Sequence, residues 1–297
     1  MKGIYVATVT PFDREGHLDA KGAEALYEKL IGQGADGFFV GGSSGECFLM
    51  TPQERVAAFE TAFAYHDQVE LYAHVGALGT EEAIYYAKCA KEIGYDKIAA
   101  VPPFYFGLSS KDIAQYFYDI SKAVELPVLY YNIPGNTHRV LDLNDPVLEE
   151  LVCSGALAGV KHTNLDIYEM ERIRHKNREL LCFGGFEQNM VAFLAMGCDG
   201  FIGSTFNFML PHYRKVYQLF LDGKIEEARE LQVKANNIME VICKVGLFPA
   251  IKYILDCQGL CVGQTRRPFL PLEEGQKNQV DQVLKENLYQ VSTDGKR

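Results

Sequence analysis

The sequence predicts a (β/α)8 barrel of the TIM type with a C-terminal helical appendage. Short β-branched and aromatic runs alternate eight times with longer segments of helical period, which is the pattern of parallel strands joined by helices. The 297 residues leave room for the roughly 250 residues that such a barrel fills as one unit. Three segments, GQGADGFFV, KEIGYDKIAAV and AMGCDGFIGS, repeat one helix-to-strand transition through a glycine suited to a left-handed cap.

Each predicted unit begins with a strand-like run and continues into an amphipathic segment. The strand-like runs are Gly3–Val9, Gly37–Val40, Glu70–Val75, Lys97–Val101, Pro127–Tyr131, Leu157–Val160, Leu181–Phe183 and Gly200–Ile202. The clearest helical segments are Ala20–Gln33, Pro52–Tyr65, Glu81–Ile93, Lys111–Val124, Tyr168–His175, Gln188–Met196 and Tyr213–Leu221. A doubly wound open sheet has the same order of elements, so the pattern leaves it as the competing fold.

Helical patterns continue beyond the eighth unit, over Ile225–Lys244, Phe248–Asp256 and Glu274–Leu288. No low-complexity linker separates them from the barrel. We therefore expect a catalytic barrel over residues 1–223 and a helical extension over residues 224–297 that packs on it.

Composition and charge narrow the range of partners. The formal net charge is −10, and no stretch gathers enough Lys and Arg to neutralise a run of phosphates, so nucleic acid and anionic membranes are not expected partners. No apolar run approaches the roughly 20 residues of a membrane span. The segment MKGIYVATVTPF lacks the apolar region and cleavage site of a signal peptide, which predicts a cytoplasmic location.

Polar residues follow most of the predicted strands, where the active site of a parallel barrel lies. Lys161 is the most informative, because it follows the apolar run from Ala156 to Val160 and should enter a crowded barrel mouth. A lysine there is either a structural residue paired with a carboxylate or a deprotonated nucleophile. Lowering the ordinary lysine pKa of about 10.4 to about 7 requires roughly 4–5 kcal/mol of desolvation or like-charge repulsion. The free amine can then attack a ketone and form an imine.

Tyr131 closes the strand-like run that precedes the one ending in Lys161, so the two side chains are expected to lie side by side. A phenol can relay protons during imine formation and bond cleavage. A tyrosine at a barrel end can also be a core aromatic with a bonded hydroxyl. Its pairing with Lys161 favours the functional interpretation.

The loop GGSSGE from Gly41 to Glu46 predicts an anion site. It lacks the lysine of a P-loop and the spacing of a dinucleotide motif, so a nucleotide is not expected. Consecutive backbone N–H groups and the hydroxyls of Ser43 and Ser44 suit a carboxylate. A tight turn alone would explain the glycines but not the paired serines.

Metal motifs are missing from the sequence. The seven histidines form no H-x-H or H-E-x-x-H pair, although His74, His138 and His162 fall at or just beyond strand ends, which leaves a metal-dependent enzyme as a weak alternative. No G-x-S-x-G motif marks a serine nucleophile. The eight cysteines form no C-x-x-C pair and are predicted to be buried thiols.

The residues and motifs resemble the N-acetylneuraminate lyase and dihydrodipicolinate synthase family of pyruvate-dependent, class I (Schiff-base) aldolases. The matching motifs run in order through the chain: TPFD from Thr10, GGSSGE from Gly41, AHVG from Ala73, PFY from Pro103, YNIP from Tyr131, GVKHT from Gly159, GST from Gly203, GLFPAIK from Gly246 and RPF from Arg267. The resemblance therefore covers essentially the whole chain.

The resemblance implies a role for each matching position. Lys161 is similar to the Schiff-base lysine, Tyr131 to the catalytic tyrosine, and Ser43 and Ser44 to the pair that holds the pyruvate carboxylate. Tyr105 is similar to a tyrosine that the synthases lend across a dimer interface. The positions similar to those contacting the sugar chain in the lyases are Thr163, Gly185, Glu187, Gln188 and Ser204. The family uses no metal or organic cofactor and usually forms a homotetramer, a dimer of dimers.

The substrate implied by the resemblance is a 2-keto-3-deoxy sugar acid, with N-acetylneuraminate first and dihydrodipicolinate synthesis as the alternative. After the Y-N-x-P motif, the synthases carry an arginine that binds a second carboxylate. This chain has Asn136 at that position, with Arg139 three residues later. The lyases generally carry Asp-Glu where this chain has Glu187 and Gln188, and often glycine in place of His138. A third hypothesis, a barrel kept as a binding or regulatory protein, is disfavoured by Lys161 and Tyr131.

Overall fold

Eight parallel strands close into a barrel, as the sequence predicts. The computed structural model describes residues 3–288. The strands are β1 (Gly3–Ala7), β2 (Gly37–Val40), β3 (Glu70–His74), β4 (Ile98–Ala100), β5 (Val128–Asn132), β6 (Leu157–His162), β7 (Leu181–Gly184) and β8 (Gly200–Gly203). They pair in sequence order, and β1 pairs with β8 from Gly3↔Gly200 to Val6↔Gly203. This last pairing rejects the open doubly wound sheet.

Alternation along each strand divides the apolar side chains into two sets. One set faces the barrel interior and includes Tyr5, Phe39, Leu129, Tyr131 and Phe183. Their sequence neighbours belong to the larger core between the strands and the surrounding helices. Because side chains on a strand point alternately to its two faces, the outward Val160 places Lys161 inside the barrel.

The surrounding helices follow the predicted segments closely. They are α1 (Ala20–Gly32), α2 (Pro52–Phe63), α3 (Thr80–Ile93), α4 (Ser110–Val124), α5 (Pro134–Thr137), α6 (Pro146–Cys153), α7 (Ile167–Lys176), α8 (Met190–Ala195) and α9 (Phe206–Leu221). The helix α9 begins before the predicted Tyr213, because it continues across Pro211 and a non-helical Met209.

The sequence pattern predicted no helix between the fifth and sixth strands, whereas the one-turn α5 and the longer α6 occupy that connection. Asp145 caps this helix by accepting a hydrogen bond from the N–H of Val147 at 2.9 Å, and Pro146 stands at its first position. This Asp-Pro start is a recognisable helix signal, but the helix has only 8 residues.

Three more helices, α10 (Ile225–Val245), α11 (Leu247–Cys257) and α12 (Glu274–Asn287), pack on the barrel. The helix α10 contacts α8 and α9, and α12 covers α10. The division into residues 1–223 and 224–297 remains a proposal, and residues 1, 2 and 289–297 lie outside the described part. Between residues 3 and 288 no helix is long and apolar enough to cross a membrane.

The prediction that the cysteines are buried is correct for some and wrong for others. Cys47, Cys182 and Cys198 are buried, and Cys89 is half-buried. Four are exposed, namely Cys153, Cys243, Cys257 and Cys261. The residue type alone does not reveal whether a thiol on a helix, strand or loop faces the core or the solvent.

Candidate active site

The structure brings Lys161 and Tyr131 together inside the barrel mouth. They are register partners on the adjacent strands β6 and β5, so both side chains point inward at the same height. The Lys161 Nζ lies 4.0 Å from the centroid of the Tyr131 ring and 4.2 Å from that of Phe39. Lys161 is only 4% exposed.

Burial sets the protonation of Lys161. Desolvation lowers the pKa of its amine from the ordinary 10.5 to about 7, and electrostatic interactions with Glu187 and Cys47 oppose this change. Among residues 3–288 no carboxylate forms an ion pair with Lys161. The structural alternative, a salt-bridged lysine, therefore finds no partner in the described part of the chain.

Tyr131 carries a neutral phenol. Desolvation raises its pKa to about 12, and the hydroxyls of Ser43 and Thr163 oppose the change. The Thr163 Oγ1 is buried and forms no well-aligned hydrogen bond within the described residues. A phenol flanked by hydroxyls can accept a proton on its oxygen while it donates its own.

The GGSSGE loop forms a tight turn at the end of β2. Gly41 has a φ of +66°, in the left-handed region that glycine adopts without strain, and residues Ser43–Gly45 form one turn of 3-10 helix. The Thr10 hydroxyl donates a hydrogen bond to the Gly45 carbonyl at 2.8 Å, which ties the turn to the end of β1.

A cavity of about 260 Å³ lies at the barrel mouth and collects most of the predicted site residues. Nine of them line it: Ser43, Ser44, Tyr131, Lys161, Thr163, Gly185, Glu187, Gln188 and Ser204. There is no room for a side chain at Gly185, because a Cβ there would lie 1.8 Å from the Thr163 Oγ1. A second, largely apolar cavity of about 340 Å³ adjoins the first and shares Ser43, Ile133, Asn136 and Phe248 with it.

Sequence reasoning missed the wall that the C-terminal helices contribute to the cavity. Met239 and Cys243 from α10 and Leu247 and Phe248 from α11 line it. The helical pattern marks these as amphipathic segments but does not say which face meets the barrel mouth. Only the GLFPAIK motif at Gly246, noted through the resemblance, pointed to part of this wall.

The carboxylate of Glu187 is held by the two residues that directly follow β8. Its Oε1 accepts hydrogen bonds from the Thr205 N–H at 2.8 Å, the Thr205 hydroxyl at 2.9 Å and the Ser204 hydroxyl at 3.3 Å. The residue is 3% exposed. The Oε1 of Gln188, by contrast, is buried in the cavity wall without a hydrogen-bond partner in the described chain. Of these two side chains, Gln188 is the freer to bind a ligand.

Other singled-out residues lie away from the cavity. Tyr105 is 75% exposed and meets only the edge of Phe106 among the aromatic contacts of the described residues. His138 is exposed, with a φ of +52°. Arg139 donates hydrogen bonds to the carbonyls of Phe106 and Leu108, so its guanidinium is already engaged.

The buried histidines at strand ends, His74 and His162, form hydrogen bonds with backbone groups of the barrel. The His74 Nδ1 meets the Gly41 carbonyl at 3.0 Å, and its Nε2 accepts from the Val101 N–H at 3.3 Å. The His162 Nε2 meets the Asp166 carbonyl at 2.8 Å. Burial lowers the pKa of both rings. Within residues 3–288, no group of three or more His, Cys, Asp or Glu side chains could hold a metal ion.

Comparisons with known proteins agree with this architecture. The model of the dihydrodipicolinate synthetase family matches residues 1–287. An N-acetylneuraminate lyase of Rhizobium meliloti (strain 1021) is 36% identical over 275 residues, which are 92% of this chain and 91% of that protein.

Two solved structures are similar over nearly their whole length. The CdNal protein of Clostridium difficile, solved in complex with mannosamine, has a TM-score of 0.91 and 34% identity, covering 97% of this chain and 99% of that one. Dihydrodipicolinate synthase DapA-2 of Bacillus anthracis also has a TM-score of 0.91, with 26% identity, covering 96% and 97%.

A closed (β/α)8 barrel with a buried lysine that has no ion-pair partner among residues 3–288, beside a tyrosine at the barrel mouth, fits the pyruvate-dependent aldolases, which are carbon–carbon lyases. The family match extends over nearly the whole chain. The protein belongs to the dihydrodipicolinate synthetase family, and the relatives named above include an N-acetylneuraminate lyase.

Proposed function

We propose that the protein reversibly cleaves a 2-keto-3-deoxy sugar acid to pyruvate and an aldehyde, with N-acetylneuraminate as substrate and N-acetylmannosamine as the second product. The observation that carries this proposal is the amine of Lys161, buried and without a carboxylate partner in the described residues, beside the phenol of Tyr131. The 36% identity to an N-acetylneuraminate lyase supports the choice of substrate.

In the proposed reaction, the neutral amine of Lys161 attacks the C2 ketone of the open-chain substrate. The resulting carbinolamine loses water and becomes a protonated imine. The C3–C4 bond then breaks: its electron pair moves to C3 and forms an enamine, and the C4 hydroxyl loses its proton as the aldehyde forms. Protonation at C3 and addition of water release pyruvate and restore the amine.

The Tyr131 hydroxyl is proposed as the proton relay at C4. Its high pKa keeps the phenol neutral, so it moves a proton by accepting one while passing its own to a neighbouring hydroxyl. Ser43 is one of two neighbours, with Thr163, whose hydroxyls oppose the rise in the pKa of the phenol, which supports a place for Ser43 in this relay. General acid–base catalysis of this kind contributes about 10²–10⁴-fold to a rate.

The remaining cavity residues are proposed to bind the two ends of the substrate. Ser43 and Ser44 would hold the pyruvate carboxylate, since they share the cavity with Lys161 and lie on a turn suited to anions. The proposed contacts to the sugar chain are Thr163, Gly185, Glu187, Gln188 and Ser204. The unpaired Gln188 Oε1 supports a direct role for that side chain, whereas the bonded Glu187 Oε1 supports an indirect one.

We further propose a homotetramer in which Tyr105 reaches the site of a neighbouring subunit. The exposure of Tyr105 and Phe106 and the apolar cavity beside the site support such a contact. Analytical ultracentrifugation tests the assembly, and Tyr105→Ala tests whether loss of activity accompanies dissociation. A cytoplasmic location remains a prediction of the sequence, which cell fractionation tests.

Dihydrodipicolinate synthesis is the second candidate. The similarity to a Bacillus anthracis dihydrodipicolinate synthase favours it. Against it, Asn136 stands at the expected arginine position and cannot supply a charged fork for a second carboxylate. Arg139, the nearest substitute in sequence, is already bonded to Phe106 and Leu108.

Borohydride trapping tests the imine. Pyruvate with borohydride should inactivate the protein irreversibly and add one reduced pyruvyl group to Lys161, as peptide mass spectrometry detects. Activity should persist in a chelator. An adduct on another lysine, or activity lost in chelator and regained with metal, contradicts the mechanism.

A substrate screen then tests the choice of sugar acid. Pyruvate release, coupled to lactate dehydrogenase, is measured with N-acetylneuraminate, shorter 2-keto-3-deoxy acids and, for the alternative, condensation with aspartate semialdehyde. Release from N-acetylneuraminate with the highest kcat/KM is the expected result. A preference for a shorter acid rejects the neuraminate assignment and leaves the aldolase class intact.

A further inference from the structure

A buried ion pair lies just behind the Ser43–Gly45 turn. Glu46 directly follows the turn, and its Oε1 is 2.8 Å from the Nζ of Lys252 on α11. The two side chains are 0% and 2% exposed. Neither residue lines the cavity that contains Lys161, whereas Glu46 lines the adjoining apolar cavity.

The segment after α11 adds two hydrogen bonds to this ion pair, and we call the whole arrangement the Glu46 anchor. The second carboxylate oxygen of Glu46 accepts a hydrogen bond from the backbone N–H of Arg266 at 2.7 Å. Lys252 also donates to the Gln264 carbonyl at 3.1 Å. The C-terminal extension therefore grips Glu46 through both of its carboxylate oxygens.

The side chain of Arg266 connects the Glu46 anchor to the residues that follow the turn. Its guanidinium donates to the Leu49 carbonyl at 2.9 Å and forms a two-point ion pair with Glu54 on α2. The ring of Phe12 lies 4.2 Å from the Lys252 Nζ and 4.2 Å from the guanidinium carbon of Arg266. The loops that follow β1 and β2 are thereby joined to the C-terminal segment.

The backbone of Glu46 has an unfavourable conformation that these contacts can stabilise. Glu46 has a φ of +59°, in the left-handed region that favours glycine, so a glutamate there needs support from its surroundings. A buried ion pair is weak evidence for stability, because well-packed apolar side chains often replace one without loss. An ion pair can, however, fix the orientation of a side chain and its backbone, which non-directional apolar packing cannot do. The conformation fixed here is that of the residue ending the turn.

We propose that Glu46, Lys252 and Arg266 are positioning residues that hold the Ser43–Gly45 turn in its carboxylate-binding conformation. The C-terminal extension thus organises the pyruvate end of the site, and its helices α10 and α11 also line the cavity. This inference rests on the proposed function, because it assigns the pyruvate carboxylate to that turn.

The test compares carbonyl compounds with and without a carboxylate. Borohydride inactivation is measured against the concentration of pyruvate and, separately, of acetone, which forms an imine but offers no carboxylate. In Lys252→Met, half-saturation by pyruvate should rise about tenfold or more, which is the effect of losing roughly one good hydrogen-bonded contact. The limiting rate constant at saturating pyruvate and the rate with acetone should match the wild type.

Two further variants keep the test decisive if Lys252→Met does not fold. The double variant Glu46→Gln, Lys252→Met removes both charges and avoids a lone buried carboxylate, and it should show the same selective loss for pyruvate. Arg266→Lys should show a smaller loss, because the ammonium cannot reproduce the guanidinium fork to Glu54 but the backbone N–H of residue 266 still binds Glu46. The matched control is Lys277→Met, which removes an exposed ion pair with Glu274 on the same extension and should leave both ketones unaffected.

The outcomes separate this inference from the proposed function. If the wild type does not trap pyruvate on Lys161, the proposed function is wrong. If the wild type traps pyruvate and the folded variants keep its half-saturation, the inference alone is wrong. An equal loss for pyruvate and acetone also overturns it, because the defect is then not specific to the carboxylate.

Discussion

Replacing Lys161 with methionine should make the protein more stable while abolishing imine formation. Burial lowers the pKa of the lysine from 10.5 to about 7, so the folded state disfavours the charge that the unfolded chain carries freely. Methionine has a similar length and no charge to desolvate. Active sites commonly carry such a conflict between stability and function.

The sign and size of the effect follow from proton linkage. Above about pH 10.5 the amine is neutral in both states and imposes no penalty. As the pH falls toward 7 the unfolded chain binds a proton that the folded site does not, so the penalty grows until it is complete below the folded-state pKa. Lys161→Met should therefore gain about 5 kcal/mol at pH 6, about 4 kcal/mol at pH 7 and less than about 1 kcal/mol at pH 10.

The assay is urea unfolding followed by circular dichroism between pH 6 and 10. Wild type and variant are compared at one protein concentration, because association contributes to apparent stability. Lys215→Met, which removes an exposed lysine from α9, is the control and should change little. A Lys161→Met variant no more stable than wild type at pH 7, or one with the same gain at pH 10, would refute the claim that burial depresses this pKa.

Four other predictions concern catalysis and the cavity wall. The kcat/KM should rise with pH and level off above about pH 7, as the Lys161 amine loses its proton; a flat profile across this range contradicts the assignment. Tyr131→Phe should still trap pyruvate but lose about 10²–10⁴-fold in kcat, and near-normal turnover removes Tyr131 from the mechanism. The double variant Glu187→Asp, Gln188→Glu should alter KM for N-acetylneuraminate about tenfold and leave pyruvate trapping unchanged. The single variant Gln188→Glu should account for most of this change, because the Glu187 carboxylate is already hydrogen-bonded to Thr205. Thr205→Val should lower the free energy of unfolding by about 1–3 kcal/mol in urea melts, since it removes a hydroxyl bonded to the Glu187 carboxylate; unchanged stability contradicts that contact.

Local sequence patterns carried much of the fold. The eight strand-like runs coincide with the observed strands to within a few residues, because each apolar run is short and bounded by glycine or polar residues. Helix α6 was not identified from its short pattern, although Asp145 and Pro146 mark its start. The local pattern could not show that the barrel closes, because closure depends on the pairing of β1 with β8, two strands far apart in sequence.

The centre of the candidate site could be anticipated for a similar reason. Lys161 and Tyr131 each end an apolar run on successive strands, and strand alternation fixes the face on which a side chain lies. Their shared inward direction therefore follows from short-range geometry. The depressed pKa of Lys161 depends in addition on the bulk of Phe39 and Tyr131 around it.

What the sequence by itself determined was the alternating order of strands and helices and the residues at the strand ends. What only the tertiary structure decided was how distant segments meet: the wall from α10 and α11, the clamp of Thr205 on Glu187, and the pair between Glu46 and Lys252. The physical reason is the range of the interactions. Backbone geometry and side-chain alternation act over a few residues, whereas a buried charge finds its partner wherever packing places one.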